Sequence, residues 1–170
     1  MSSFALFRQR HAREAALAAV CAILFLTFLD NTIVSVALAD IQSSLSVSVT
    51  GLQWIVDGYM LAFAALMLTG GTLGDLFGRK KVMLAGVAVF CAGSIVAALA
   101  HGSSTLIAGR IVMGVGAAAS EPGTLSLIRH IYPERRERAV ALGVWAAVSG
   151  LALSLGPVIE HLLATNGKVY

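Results

Sequence analysis

Five apolar runs separated by short polar connections constrain this chain more than any other feature. They cover residues 15–39, 52–73, 82–100, 105–128 and 139–159. A helix needs roughly 20 residues to cross a hydrocarbon core, so the expected fold is an all-α membrane protein of about five transmembrane helices. Composition agrees, because 58% hydrophobic against 12% charged residues leaves too few polar side chains to cover a soluble core. The first run exceeds a signal-peptide core and is not followed by a convincing cleavage site, so it is expected to be retained as a helix. Residues 1–14 form a basic lead-in. Residues 160–170 form a tail without a sixth run, expected to be a truncated or divergent end.

The connections set an orientation. Of twelve Lys and Arg, three precede the first span (Arg8, Arg10, Arg13), three stand at Arg79 to Lys81, and four at Arg129, Arg135, Arg136 and Arg138. These lie on alternate connections, while residues 40–50 and 101–104 hold no Lys or Arg. An excess of cations marks the cytoplasmic side, which predicts a cytoplasmic amino terminus in a cell membrane. A pI near 9.2 would otherwise raise nucleic acid as a partner, but the cations form short clusters and no continuous basic face. Cys21 and Cys91 both lie inside apolar runs, which predicts packed, reduced thiols, and no metal-ligand spacing occurs.

The stretch Gly71 to Lys81 is a glycine-punctuated, charged turn between two apolar runs. Its three cations belong at a membrane surface. Asp75 stands four residues before Arg79, where the two pair across one helical turn. The alternative partners for Asp75 are Arg135, Arg136 and Arg138. Gly70, Gly74 and Gly78 recur every fourth residue and admit a second backbone if the helix runs on into the turn.

Ionisable groups inside spans cost at least about 2.5 kcal/mol each at the bilayer centre, so each needs a partner or an aqueous cavity. At 1.5 Å per residue, Asp30 lies about 13 Å, Asp57 about 9 Å and Arg110 about 8 Å below the outer ends of their spans. Equal depth allows Asp30 to meet Arg110. Desolvation raises a carboxylate's proton affinity and a nearby cation lowers it, so a rearrangement that parts the two loads or unloads a proton. The competing reading makes Asp30 a static hydrogen-bonding residue and Arg110 an interfacial side chain snorkelling outward. Asp57 sits among Gln53, Trp54 and Tyr59, which read as an interface belt around a cavity candidate. Glu121 precedes Pro122, whose missing donor frees a carbonyl, so the two can line a polar cavity or mark a kink. Gly143, Gly150 and Gly156, with Pro157, leave room on the fifth span for close packing or rocking of a neighbour. His101 is expected in a solvated loop, and Trp145 facing lipid or packing. No nucleophile, base and oxyanion donor group together, and Gly109 to Gly116 lies in an apolar span with no preceding strand, so neither an enzyme nor a cofactor site is expected.

Several of these stretches together resemble the amino-terminal half of a major facilitator superfamily transporter, most like the fourteen-span drug:proton antiporters, over residues 20–159. Leu29-Asp30-Asn31-Thr32 through Leu38 is similar to that group's first-helix motif, and Gln53-Trp54 through Tyr59 to its second-helix opening. Gly71-x-Leu73-x-Asp75-x-x-Gly78-Arg79-Lys80 resembles the loop between spans two and three. Arg110-x-x-x-Gly114-x-Gly116 resembles the fourth-helix motif, and Gly143, Gly150 and Gly156-Pro157 the fifth-helix motif of antiporters. Two positions depart from the pattern: Met113 stands where a glutamine is usual, and Glu160 and His161 follow Gly156-Pro157 in place of a glycine pair.

The resemblance implies proton-coupled efflux of drug-like small molecules by alternating access, as part of a longer transporter. Asp30 and Arg110 would couple the proton, and Asp57 and Glu121 would line the cavity. Gly71, Asp75, Gly78, Arg79 and Lys80 would form a gating loop, and Gly150, Gly156 and Pro157 a gating element on helix five. The implied partners are a small-molecule substrate, protons, the lipid bilayer and a missing carboxyl-terminal half. The alternative expectation is a truncated membrane fragment that does not transport and only packs with partner helices.

Overall fold

In the computed structural model the backbone is described for residues 3–165, and the side chains for residues 11–155, 157 and 158. Arg8 and Arg10 of the lead-in, the surroundings of Gly156, the side chains of Glu160 and His161, and residues 166–170 of the tail lie outside the described residues.

Five helices follow in order: α1 (Ser3–Leu45), α2 (Val49–Phe77), α3 (Arg79–Ala98), α4 (Ser103–Ile131) and α5 (Arg135–Thr165). All five are long and apolar enough to cross a membrane. Every helix but α3 outruns its apolar stretch at both ends. Hydropathy says where hydrocarbon ends, but a helix ends only where its backbone is broken or capped. The clearest case is Gly71 to Lys81, expected as a turn. In the structure α2 continues through Gly71 and Asp75 to Phe77 and α3 begins at Arg79, so the turn is the single residue Gly78. Its φ of 98° is a backbone region that a side chain would strain, and its amide closes α2 by bonding to the Gly74 carbonyl at 3.1 Å. Ser48 opens α2, its hydroxyl accepting from the Gly51 amide at 3.2 Å.

α4 is the central helix, packed most extensively on α3 and then on α2, whereas α1 packs mainly on α5. The seams of α4 are made by glycine. A Cβ at Gly86 of α3 would lie 2.7 Å from the Gly116 carbonyl oxygen, and one at Gly93 would lie 2.7 Å from the Met113 amide. From α4, a Cβ at Gly109 would meet the Ala97 backbone at 2.8 Å, and one at Gly114 the Tyr59 carbonyl at 2.5 Å. Gly70 lies against the Ala118 carbonyl. Small residues thus bring backbones together where no apolar collapse drives helices to associate.

α5 behaves differently from expectation. Its buried face carries Ala141, Ser149 and Ala152, while Gly143 and Gly150 lie on an exposed face, where an added methyl would find nothing within 4 Å. Among the described residues they pack no neighbour. Pro157 lies inside α5 and Pro122 inside α4. Cys21 is buried, but Cys91, expected to be packed, is exposed.

At the end carrying the basic connections, Val20, Met83, Ile128 and Ala141 form one apolar cluster drawn from α1, α3, α4 and α5. Arg13 pairs with Glu137 at 3.6 Å there, and the Tyr132 hydroxyl donates to the Arg13 carbonyl at 3.3 Å.

Candidate functional site

Arg110 of α4 is 2% exposed and is the largest fully buried side chain among the described residues. A guanidinium cannot shed its charge, so burial at this level requires partners for its five donors. The structure supplies three hydrogen-bond partners from two helices. Nε donates to the Ile55 carbonyl of α2 at 3.1 Å, and Nη2 to the Asn31 side-chain oxygen of α1 at 3.3 Å. Nη1 donates to Asp30 Oδ2 in a direct ion pair. The planar group also lies over the Tyr59 ring, 4.4 Å from its centroid, where a cation is favoured by the ring face.

Three local features prepare this arrangement. Tyr59 stacks on Phe63 with centroids 6.3 Å apart, which fixes the ring beneath the guanidinium. The Asn31 amide donates to the Thr27 carbonyl at 2.9 Å, holding its oxygen toward Arg110. Met113, at the position where a glutamine is usual, is buried in the apolar cluster of Tyr59, Phe90 and Ala117, so this side of the site is apolar.

Asp30 is less enclosed than its partner, with 22% of its side chain exposed. Together with Thr27, Phe90 and Ser120 it lines a cavity of about 410 Å³ between α1, α3 and α4. α1 and α3 are not packed along their lengths, and the space exists for that reason. One face of the carboxylate is therefore held by the guanidinium while another faces a volume large enough for a small molecule.

A second polar group lies nearer the basic end. The Glu121 side chain is half-buried and lies near Thr27, whose hydroxyl donates to the Leu24 carbonyl at 3.0 Å. The Glu121 carbonyl, ahead of Pro122, accepts from Thr124 Oγ1 at 2.7 Å, and Trp145 Nε1 donates to that same hydroxyl at 3.3 Å. Asp57, by contrast, is exposed on α2 and its carboxylate joins none of these contacts.

Of the residues singled out in the sequence, the structure brings Asp30 and Arg110 into contact, sets Glu121 beside Thr27 and leaves Asp57 outside the cluster. Asp75 pairs with Arg79 at 2.8 Å, the local choice among the partners expected for it, and both side chains are largely exposed. The interface belt expected of Trp54 and Tyr59 divides: Trp54 is 51% exposed, but Tyr59 is 2% exposed and belongs to the core of the site. Sequence reasoning missed Asn31, Ile55, Thr27, Thr124 and Trp145 as contributors. Asn31 had a signal, being an amide beside an intramembrane acid, whereas the Ile55 carbonyl is a backbone group that no residue type advertises.

Five membrane-length helices, glycine-packed around a buried, paired charge that borders a cavity, define a multi-pass membrane protein of the polytopic transporter kind. Comparison with known proteins agrees. The family model of the Major Facilitator Superfamily matches residues 20–168, and the chain belongs to that family. It is 46% identical over 135 residues to the methylenomycin A resistance protein of Bacillus subtilis (strain 168), which covers 79% of this chain and 29% of that protein. It is 42% identical over 140 residues to the multidrug resistance protein Stp of Mycobacterium tuberculosis, covering 82% and 26% respectively. With the puromycin resistance protein pur8 of Streptomyces alboniger the identity is 38% over 147 residues, covering 86% and 29%. The chain thus spans less than a third of the length of these relatives.

Proposed function

We propose that this chain supplies the amino-terminal helices of a proton-coupled antiporter that expels drug-like small molecules by alternating access, with its amino terminus in the cytoplasm. The observation that carries the reading is the Asp30–Arg110 pair, which joins α1 to α4 beside an open cavity. The names of the relatives, resistance proteins for methylenomycin A and puromycin and a multidrug resistance protein, support the substrate class.

The mechanism follows from the asymmetry of the pair. Arg110 is fixed by Ile55, Asn31 and Tyr59 and keeps its charge throughout. Asp30 has a free face. While the guanidinium touches it, the ionised form is favoured; when α1 moves away from α4, the carboxylate loses that cation in a low-dielectric setting and takes up a proton. Substrate entering the cavity on the α1 side competes for the same carboxylate, which ties proton release to substrate exchange. In this reading Glu121, near Thr27 of the cavity wall, continues the path inward, and Asp57, exposed on α2, meets substrate outside the cavity. The Gly71, Asp75, Gly78, Arg79 and Lys80 segment acts as a gate at the cytoplasmic face, and Gly150, Gly156 and Pro157 offer α5 as a surface for a moving neighbour.

Proton-driven efflux in inside-out vesicles carrying the transporter that contains this chain tests the reading. Asp30→Asn keeps the size and hydrogen-bonding capacity of the side chain but cannot exchange a proton. Efflux driven by a pH gradient is expected to vanish while substrate binding persists. Undiminished pH-driven efflux in that variant would sink the assignment.

A further inference from the structure

We propose that Glu121 selects the charge of the molecule that occupies the cavity between α1, α3 and α4, favouring a lipophilic organic cation over a neutral or anionic compound of similar shape. The inference rests on the transport reading and names the substrate class of that same site.

The charges inside the spans are one cation short. Arg110 is matched by Asp30. Glu121 stands about 10 Å inside the basic-side end of its apolar run, at 1.5 Å per residue, and no ion pair among the described residues includes it. Asp57 shares that lack but is exposed on α2, outside the cavity. An ionised acid at the depth of Glu121 needs a partner. Its side chain is also aimed away from the nearer surface. The Cα–Cβ bond of a helical residue tilts toward the helix amino terminus, which for α4 is the end far from the basic connections. The half-buried carboxyl accordingly lies near Thr27, about one turn of α1 from Asp30.

The cavity has the matching character. Thr27, Asp30 and Ser120, the residue before Glu121, form the polar part of its wall, and Leu26, Ile33 and Phe90 belong to the apolar part. Among the described residues that wall holds no Lys, Arg or His, and Arg110, 2% exposed, keeps its charge behind Asp30. Glu121 stands just behind the wall, beside Thr27 and Ser120, so it acts through its field over a short distance of low dielectric, attracting a cation and repelling an anion. The Phe90 ring adds an aromatic surface that suits a cation. A bare inorganic cation would have to shed its water against aliphatic side chains, whereas a cation wrapped in hydrocarbon meets them favourably. An organic ammonium or phosphonium thus fits both the charge and the wall.

The test uses the purified 170-residue chain in neutral detergent, titrated calorimetrically with tetraphenylphosphonium and with uncharged triphenylphosphine oxide. The cation is expected to bind about tenfold or more tightly than the neutral compound. Glu121→Gln keeps the shape of the side chain and deletes its charge. It is expected to lose about tenfold in affinity for the cation while its affinity for the neutral compound, which reports an intact cavity, stays unchanged. Asp40→Asn, which removes equal charge from an exposed position outside the cavity, is expected to alter neither. Undiminished cation binding in Glu121→Gln, equal losses in Glu121→Gln and Asp40→Asn, or loss of both probes together in Glu121→Gln would overturn the assignment. The titration applies no proton gradient. Charge-selective binding by a transporter that fails pH-driven efflux therefore breaks the transport reading alone, and equal affinity for the two probes in one that passes breaks this inference alone.

Discussion

On the side facing α2 and α3, α4 is fastened by backbone; on the side facing α1 and α5 it is held by side chains. Gly86, Gly93, Gly109 and Gly116 remove side chains that would separate α3 from α4, and Gly114 and Gly70 do the same toward α2. Toward α1 the links are Arg110 to Asp30 and Asn31, and toward α5 the Trp145 to Thr124 bond, supplemented by the apolar cluster at the basic end. Backbone seams of the first kind fit in one register only, because a shift of a fraction of an ångström produces clashes. Side-chain links of the second kind reach across through rotatable bonds and do not by themselves impose one register. α2, α3 and α4 thus form one closely seamed body, and the charged residues stand where a second, α1 with α5, adjoins it.

The largest expected effect breaks the side-chain link. Arg110→Ala leaves Asp30 half-buried without its counter-ion and removes the donor to the Ile55 carbonyl, which is expected to cost about 3 kcal/mol in mixed-micelle unfolding. Arg110→Lys is expected to recover only part of that loss, since a point ammonium cannot reach Ile55, Asn31 and Asp30 together. Full recovery would show that charge alone holds the two bodies. Next comes the seam. Gly116→Ala drives a methyl into the Phe90 amide and the Gly86 carbonyl and is expected to cost about 1–3 kcal/mol, read by the same unfolding assay. A smaller loss would mean that α3 and α4 slide, contrary to a single rigid register.

Trp145→Phe keeps an aromatic ring and deletes the donor to Thr124, with an expected cost of about 0.5–1.5 kcal/mol. Combining it with Arg110→Ala sharpens the comparison: if both links join the same two bodies, the double variant falls short of the sum of the two single losses. The smallest effect, and one of opposite sign, belongs to Gly150→Ala. The same methyl that disrupts the α4 seam meets nothing here and restricts the unfolded chain, so it is expected to stabilise by about 0.4–1 kcal/mol. A destabilisation in the 170-residue chain would reveal a neighbour on that face.

Much of the fold is legible in the sequence because hydropathy measures the property that a bilayer selects. Each of the five runs falls on one of the five helices, only the third reaching past its helix end, at Ala98. What hydropathy does not report is helix termination, which is why Gly71 to Phe77 reads as turn and is helix. Depth along a helix is equally legible, and it places Asp30 and Arg110 at compatible levels. Facing is not. Trp54 and Gln53 suggest a surface position for their neighbour Tyr59, yet five residues at 3.6 per turn set Tyr59 about 140° around α2 from Trp54. That rotation carries it from the exposed face to a place under Arg110. Glycine spacing has the same ambiguity. Gly109 and Gly116, like Gly143 and Gly150, stand seven residues apart on one face, but only the first pair has a helix in front of it among the described residues. Spacing shows that small residues share a face; the partner has to come from the rest of the fold.

The distance along the chain between Asp30 and Arg110 also bears on how the protein is made. Eighty residues separate the acid from its counter-ion. At about 5–20 residues per second of synthesis, α1 leaves the ribosome roughly 4–16 s before α4. During that interval Asp30 has no Arg110 to meet, so α1 alone bears the cost of an unpaired intramembrane acid. Arrival of α4 then supplies the guanidinium that pairs with it. The pairing that links α1 to α4 in the finished molecule is thus absent while the first helix is made.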